Sequence, residues 1–274
     1  MDDVIDIELW ARPLCFAVLA GLAFVPLEHA VPARPRPRGR RRPGLAADLL
    51  FATLGQLLAR LGIVLAVGWA LALLDGIGPD RPLFVGVADR RARAALDVAC
   101  GLFLFELGGY VHHRLAHRVR WMWRLHEVHH TSETMDWLAA FRQHPLELLM
   151  LTLAQNAPLV LAGIPLGAHA TVVALLKLNT VFVHANIRVP EGPWRLVLAT
   201  PRFHHRHHQR GGPVRNFASL FPVIDRLFGT YSDETAASFG LGRPAAQSFL
   251  ALLASPLARR PDPGAPVAAK IASS

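Results

Sequence analysis

Ala94-Ala95-Leu96-Asp97-Val98-Ala99-Cys100-Gly101-Leu102-Phe103-Leu104-Phe105-Glu106-Leu107-Gly108-Gly109-Tyr110-Val111 runs without a break into His112-His113-Arg114-Leu115-Ala116-His117. The apolar part, Ala94 to Val111, approaches the ~20 residues that a helix needs to cross a bilayer. The histidines continue the same helix, and residues four apart share a helix face, so His113 and His117 point one way. Glu106 lies seven residues before His113 and so near that face. An acid inside a span is costly and marks function by default. An apolar helix delivering paired imidazoles to its polar end predicts an all-α integral membrane protein with a histidine-rich helical cap.

Two further groups repeat the pattern, His126-x2-His129-His130 and His204-x2-His207-His208. At 3.6 residues per turn, His126, His129 and His130 fall within an arc of about 100°. The three groups offer eight imidazoles, too many for one tetrahedral zinc, and two metals account for the number. The chain has 14 histidines. A lone histidine is more often structural, and His29 and His169 are read that way. His112 and His205 stand beside group members and are expected to face away. Packing so many half-buried imidazoles without metal would leave polar groups unsatisfied.

Other apolar blocks lie on both sides. Pro13 to Leu27 is the first. Leu45 to Leu74 is the second, where Asp48 and Arg60 leave only Leu61 to Leu74 clean. Leu146 to Ile187 is broken at Gly163-Ile164-Pro165 into a helical hairpin. With the span at 94–111 these give about four transmembrane helices. Six arginines lie between Arg34 and Arg42, a basic loop that the positive-inside rule assigns to the cytoplasm. Tracing the spans from there brings His112 to His144, His184 and the 204–208 group to the cytoplasmic face. Phe249 to Leu257 reads as a short surface helix, and the tail from Arg259 as disordered. Three segments follow: 1–93, 94–235 and 236–274.

Composition agrees with a membrane setting. Apolar residues make up 52% and charged ones 18%, against ~25% charged in soluble domains. The net charge of +9 sits in loops without interleaved aromatics, which argues against nucleic acid. Cys15 and Cys100 lie in apolar stretches and form no disulfide framework. The acidic start, Met1-Asp2-Asp3, is unlike a cleaved signal peptide. An excess of Arg over Lys, 27 to 2, suggests a GC-rich bacterial genome.

His126-Glu127-Val128-His129-His130 also reads as H-E-x-x-H, the zinc protease pattern with Glu127 as general base. That alternative needs one further ligand and leaves His113, His117, His204, His207 and His208 unexplained. Glu127-x-x-His130 matches half of a ferritin-like pair, but no second E-x-x-H exists in the chain.

From Tyr110 to Tyr231 the chain resembles the fatty acid hydroxylase superfamily, which includes sterol desaturases and membrane di-iron hydroxylases. His113-x3-His117 resembles its first histidine box and Leu125-His126-Glu127-Val128-His129-His130 its second. Met135-Asp136-Trp137 and Arg142-Gln143-His144-Pro145-Leu146-Glu147 resemble its linking segment, and His184-Ala185-Asn186 its H-x-N element. Thr200-Pro201-Arg202-Phe203-His204-His205-Arg206-His207-His208 resembles the last box, and Asp225-Arg226-Leu227-Phe228-Gly229-Thr230-Tyr231 the closing motif. Asn216-Phe217-Ala218 departs from the usual N-Y-G, and Ile224 replaces a common Trp; neither touches a box.

The resemblance implies that His113, His117, His126, His129, His130, His204, His207 and His208 bind two iron ions, with His184 completing the site. His144 is implied as a ligand or an outer group. Asn186, Glu147, Asp136 and Glu106 are candidates to orient imidazole N–H groups, with helix capping as the plainer reading. Imidazole suits iron, zinc and copper alike, and oxidising a C–H bond with dioxygen points to iron. The substrate implied is a lipid, such as a sterol or fatty acyl chain, hydroxylated or desaturated. The chain has no Rossmann or haem motif, so a ferredoxin, b-type cytochrome or reductase would bring electrons. Arg114, Arg118, Arg120, Arg206 and Arg210 could steer an acidic donor or bind anionic headgroups.

Overall fold

A computed structural model describes residues 2–35, 42–73, 83–190, 192–243 and 245–258. The core of the arginine loop, most of the connector before residue 83, the tail from Arg259 and the side chain of His169 lie outside the described residues. The described chain is helical, with no strand among the described residues.

Helix α1 spans Asp2–Ala30, and a second helical run comprises α2 (Leu45–Leu50), a π-helical turn (Phe51–Gly55) and α3 (Gln56–Leu73). Helix α4 (Arg90–Arg118) follows, then α5 (Arg120–His130), a 3-10 turn (Trp137–Phe141), α6 (Pro145–Leu161) and α7 (Leu166–His184). Shorter pieces complete the cap: a 3-10 turn (Pro193–Leu196), α8 (Pro201–His207), α9 (Pro222–Leu227) and α10 (Phe249–Ala254).

Local chemistry sets these limits. Asp89 caps α4 by accepting from the Ala92 N–H at 2.6 Å, as an N-cap carboxylate should. Extended backbone at Val119 separates α4 from α5. The α6–α7 break falls where the sequence places it: Gly163 takes φ 66° and Pro165 precedes α7. Both α6 and α7 pack on α4. A Cβ on Gly108 would sit 2.2 Å from the Ala154 carbonyl oxygen, so only glycine lets α4 approach α6 this closely.

Among the described residues, two helical segments are long and apolar enough to cross a membrane, Leu45–Val64 and Arg90–Arg118. Shorter apolar segments are Leu14–Ala30, Pro145–Leu161 and Thr171–His184. The Leu45–Val64 segment corrects the expectation that Asp48 spoils the start of its block. Asp48 is fully buried and ion-paired with Arg42 at 2.6 Å and with Arg142, so its charge is met inside the protein.

The distribution of polarity is inverted relative to a soluble fold. Leu22, Val64 and Leu161 are 69%, 55% and 68% exposed, whereas Glu28, Asp48, Glu106 and Arg142 are buried. Apolar helix faces turned outward around a polar interior are what a lipid environment selects. Helix α10 packs Phe249 and Leu252 against Ala47, Phe51 and Val128 and leaves Leu250 outward.

Candidate metal centre

Helices α4, α5, α7 and α8 converge, and their imidazoles fall into two groups. His113, His117, His126, His130 and His207 form the first; His129, His184, His204 and His208 form the second. Within each group the ligand atoms lie within 4.8 Å of one another. Helix α5 serves both groups, because His129 is rotated away from His126 and His130. All of these rings are buried except the half-buried His113.

In the first group, Nε2–Nε2 separations are 3.0 Å for His126–His130, 3.2 Å for His130–His207 and 3.2 Å for His117–His207. In the second they are 3.1 Å for His129–His184, 3.0 Å for His184–His204 and 3.1 Å for His204–His208.

The opposite ring nitrogens reveal what these contacts are. His113 Nδ1 meets the Phe217 carbonyl at 2.7 Å, and His207 Nδ1 the Arg215 carbonyl at 2.9 Å. His129 Nδ1 meets the Arg142 carbonyl at 3.1 Å, and His184 Nδ1 the Thr180 carbonyl at 2.7 Å. A carbonyl only accepts, so each of these Nδ1 atoms carries the proton and each Nε2 is a bare lone pair. His129 and His184 therefore aim lone pairs at each other across 3.1 Å, which is repulsive unless a cation lies between. Two nitrogens on one tetrahedral ion would be about 3.3 Å apart at ordinary metal–nitrogen distances. His113 Nε2 adds a buried nitrogen with no hydrogen-bond partner. The residues present fit a pair of nitrogen-ligated metal ions.

Burial keeps the cap imidazoles neutral, the form that ligates. It pushes His126 down to about 3. Burial, reinforced by neighbouring imidazoles, holds His129, His130, His204, His207 and His208 well below the usual range. The rings of Trp123 and Phe217 pack against His117 at centroid distances of 5.0 and 5.5 Å, walling the first group with apolar surface.

The other sequence candidates go to different places. Glu147 hydrogen-bonds His126 Nδ1. Glu106 instead accepts from the Ser219 and Leu220 N–H groups at 2.6 Å. Asp136 caps the 3-10 turn, accepting from Ala139 at 3.1 Å, and pairs with Arg42. Asn186 exchanges hydrogen bonds of 2.9 Å with the Arg34 backbone. His144 caps α6 by accepting from the Leu146 N–H at 3.2 Å, and its Nε2 donates to the Leu253 carbonyl; neither histidine group includes it. His205 faces away, donating to the His184 carbonyl at 3.1 Å, and His112 also lies outside both groups. Glu127 is paired with Arg243, while its motif neighbours His126 and His130 join the first group. Arg206, one of the arginines read as able to steer an acidic donor, is buried and held by Glu234 at 2.7 Å.

Behind the imidazoles lies a layer that no histidine motif marks. Asp225 accepts from the Phe217 and Ala218 N–H groups at 2.8 Å and from the Thr230 hydroxyl at 2.6 Å. Together with Glu106 it fastens the 215–221 loop, whose carbonyls orient His113 and His207. Asp225 stands in the closing motif, but no sequence signal marks a carbonyl.

The fatty acid hydroxylase family model matches residues 98–230. An ornithine lipid hydroxylase of Rhizobium tropici is 30% identical over 171 residues, covering 61% of this chain and 52% of that protein. An alkylglycerol monooxygenase of Homo sapiens is 32% identical over 142 residues, 51% of this chain and 32% of that protein. The enzyme of that name from Danio rerio is also 32% identical, over 31% of its length. The chain thus spans about half or less of these relatives. No solved structure matches it.

Proposed function

The chain belongs to the fatty acid hydroxylase superfamily through residues 98–230, and from that premise we propose that it is a membrane di-iron oxygenase that hydroxylates a lipid. The observation carrying this reading is the gathering of nine imidazoles into two buried groups, with bare Nε2 atoms opposed at His129 and His184. In this reading His113, His117, His126, His130 and His207 hold one iron, and His129, His184, His204 and His208 the other. Two irons bound there would supply the oxidising power for RH + O2 + 2 electrons + 2 protons → ROH + H2O.

The chain's own residues do the rest. Backbone carbonyls of Arg215, Phe217, Arg142 and Thr180 fix four ring tautomers, and Glu147 holds a proton at His126 Nδ1. Trp123 and Phe217 exclude water from the first group. The lipid enters from the bilayer along the outward apolar helix faces. The electrons come from a separate ferredoxin, b-type cytochrome or reductase. The relatives' names, an ornithine lipid hydroxylase and an alkylglycerol monooxygenase, favour hydroxylation over desaturation. About four spans, a cytoplasmic site and a bacterial inner membrane complete the proposal.

Elemental analysis of detergent-purified protein tests it, alongside His207→Ala. About two irons per chain, reduced in the variant, and a hydroxylated lipid appearing only in hosts that express the active protein are the expected results. A single zinc that the variant retains would sink the reading.

A further inference from the structure

The backbone from Ser219 to Phe221 is not helical, yet residues inside two apolar helices hold it. Glu106 on α4 accepts from the Ser219 and Leu220 N–H groups at 2.6 Å and from the Phe221 N–H at 3.3 Å. Asn179 on α7 donates to the Ser219 carbonyl at 2.7 Å. The Leu220 carbonyl takes the Ala199 N–H at 2.8 Å, and the Phe221 carbonyl takes the Ile224 N–H at 3.0 Å. Every backbone polar group of Ser219, Leu220 and Phe221 is therefore met inside the protein. Leu220 packs against the apolar cluster of Phe105 on α4, Leu159 on α6 and Val172 and Leu176 on α7.

Helix positions give the depth of this loop. The apolar stretch of α4, Ala94 to Val111, lies between Arg93 and His112. At 1.5 Å per residue it is about 27 Å long, close to the ~30 Å of a bilayer's hydrocarbon core. Glu106 lies about 8 Å inside its histidine end. Asn179 lies equally far before His184, the end of α7, and gives the same depth independently. Non-helical backbone is tolerated at that level only where the protein satisfies it, and this loop is satisfied throughout. Beyond it, α9 buries Ile224 and leaves Val223 and Leu227, four residues apart on one face, 44% and 74% exposed. Phe228, 49% exposed, stacks on Tyr110 with ring centroids 5.2 Å apart, beside the end of the α4 apolar stretch. Arg226 turns its guanidinium back over the Tyr231 ring at 4.3 Å. We propose that residues 219–228 form a re-entrant element that dips into the bilayer from the histidine side and rests its Val223, Leu227 and Phe228 face among acyl chains. Depth selects the occupant, since at the rim of the hydrocarbon core the bilayer itself meets that face. The chain entering the element carries the Arg215 and Phe217 carbonyls that orient His207 and His113, so the bilayer braces the first histidine group through it.

Insertion requires that α4 cross the bilayer, as proposed above, and is independent of the metals. The full chain is placed in discs of palmitoyl-oleoyl phosphatidylcholine, with Cys15→Ala and Cys100→Ala as background and one nitroxide-labelled cysteine at a time. Val223→Cys and Leu227→Cys probe α9. Phe103→Cys probes the outward face of α4, and Glu133→Cys an exposed turn of the cap. Collisions with dissolved oxygen and with an aqueous nickel chelate are read by power saturation. The α9 probes should lose access to the chelate and keep oxygen, as the Phe103 probe does and the Glu133 probe does not. Chelate access at both α9 positions, with Phe103 shielded, would overturn the insertion and leave the span standing. Chelate access at Phe103 would overturn both. Shielding of the α9 probes from both reagents would put a second protein there, such as another copy of this chain, and overturn the lipid as partner. Because a label could disturb the loop, the native chain is also photolabelled in the same discs with a diazirine-bearing phosphatidylcholine. Adducts on 223–228 are expected, and adducts on α4 with none on 223–228 would overturn the proposal. None of these outcomes touches the iron content on which the hydroxylase reading stands.

Discussion

The two histidine groups are built from the same residue type on overlapping helices, yet they are anchored differently. In the first, His126 leans on the Glu147 carboxylate, and His113 and His207 lean on a loop fastened by Asp225 and Glu106. In the second, the anchors are neutral backbone carbonyls: Arg142 for His129 and, within its own helix, Thr180 for His184. His204 Nδ1 is buried with no hydrogen-bond partner. A carboxylate behind an imidazole raises its basicity and its hold on a cation. With metal bound as proposed, the first group is expected to be the tighter site, its geometry set from a distance, and the second the weaker site, set locally.

Removing a ligand from either side breaks the comparison most severely. His113→Ala and His184→Ala should each abolish hydroxylation, because the proposed reaction needs both ions. Metal analysis separates them. His184→Ala should retain about one ion per chain, held by the five nitrogens of the first group. If His184→Ala emptied both groups, the sites would be one coupled unit and the distinction drawn above would fall.

Asp225→Asn should come next. The amide has one acceptor oxygen where the carboxylate offers two, and the Phe217 and Ala218 N–H groups use both. Leaving one buried donor unpaired costs about 1–3 kcal/mol. The loop carrying the Phe217 carbonyl then slackens, and activity should drop about 10–100-fold, as for other supports of metal ligands. Glu106→Gln should act in the same direction on the same loop. Chemical denaturation and iron content would be read together. A stability loss with the first-group metal unchanged would show that the loop does not set ligand geometry.

Glu147→Gln sharpens the contrast without touching a ligand. Weakening the anchor of His126 should lower first-group metal affinity about 10–100-fold and leave the second group unaffected. Chelator competition resolving two ions would measure it. Equal weakening of both groups would mean that the carboxylate serves the folded cap in general.

Legibility in the sequence followed the same divide. The candidate ligands could be read because helical spacing converts into shared faces, as for His113 and His117; His126, His129 and His130 spread over about 100°, and α5 sends His129 to the second group and its neighbours to the first. The break at Gly163 and Pro165 was equally plain. Asp48 misled because a charge in an apolar run is scored alone, while its neutralisation by Arg142 joins residues far apart in the chain. Glu106 was found but its target was not, since a carboxylate can reach an imidazole or three backbone N–H groups with the same sequence signature. Asp136 and His144 gave themselves to helix ends, the plainer use of those residue types. The anchoring carbonyls were invisible because every residue has one.

Glu127→Gln should have the smallest effect and bears on the rival protease reading. Glu127 sits between members of both groups on α5 but turns away to Arg243, whose side chain is 47% exposed. Glu127 is itself buried, but glutamine keeps its volume and can still accept from the guanidinium. Stability should change by about 1 kcal/mol as a charge-assisted bond becomes a neutral one, metal content should hold, and activity should survive. A general base in a zinc protease could not be replaced so cheaply, because its carboxylate must take a proton in the transition state. If this one substitution silenced the protein while His207→Ala spared it, the weight would shift from the paired groups to the H-E-x-x-H segment alone.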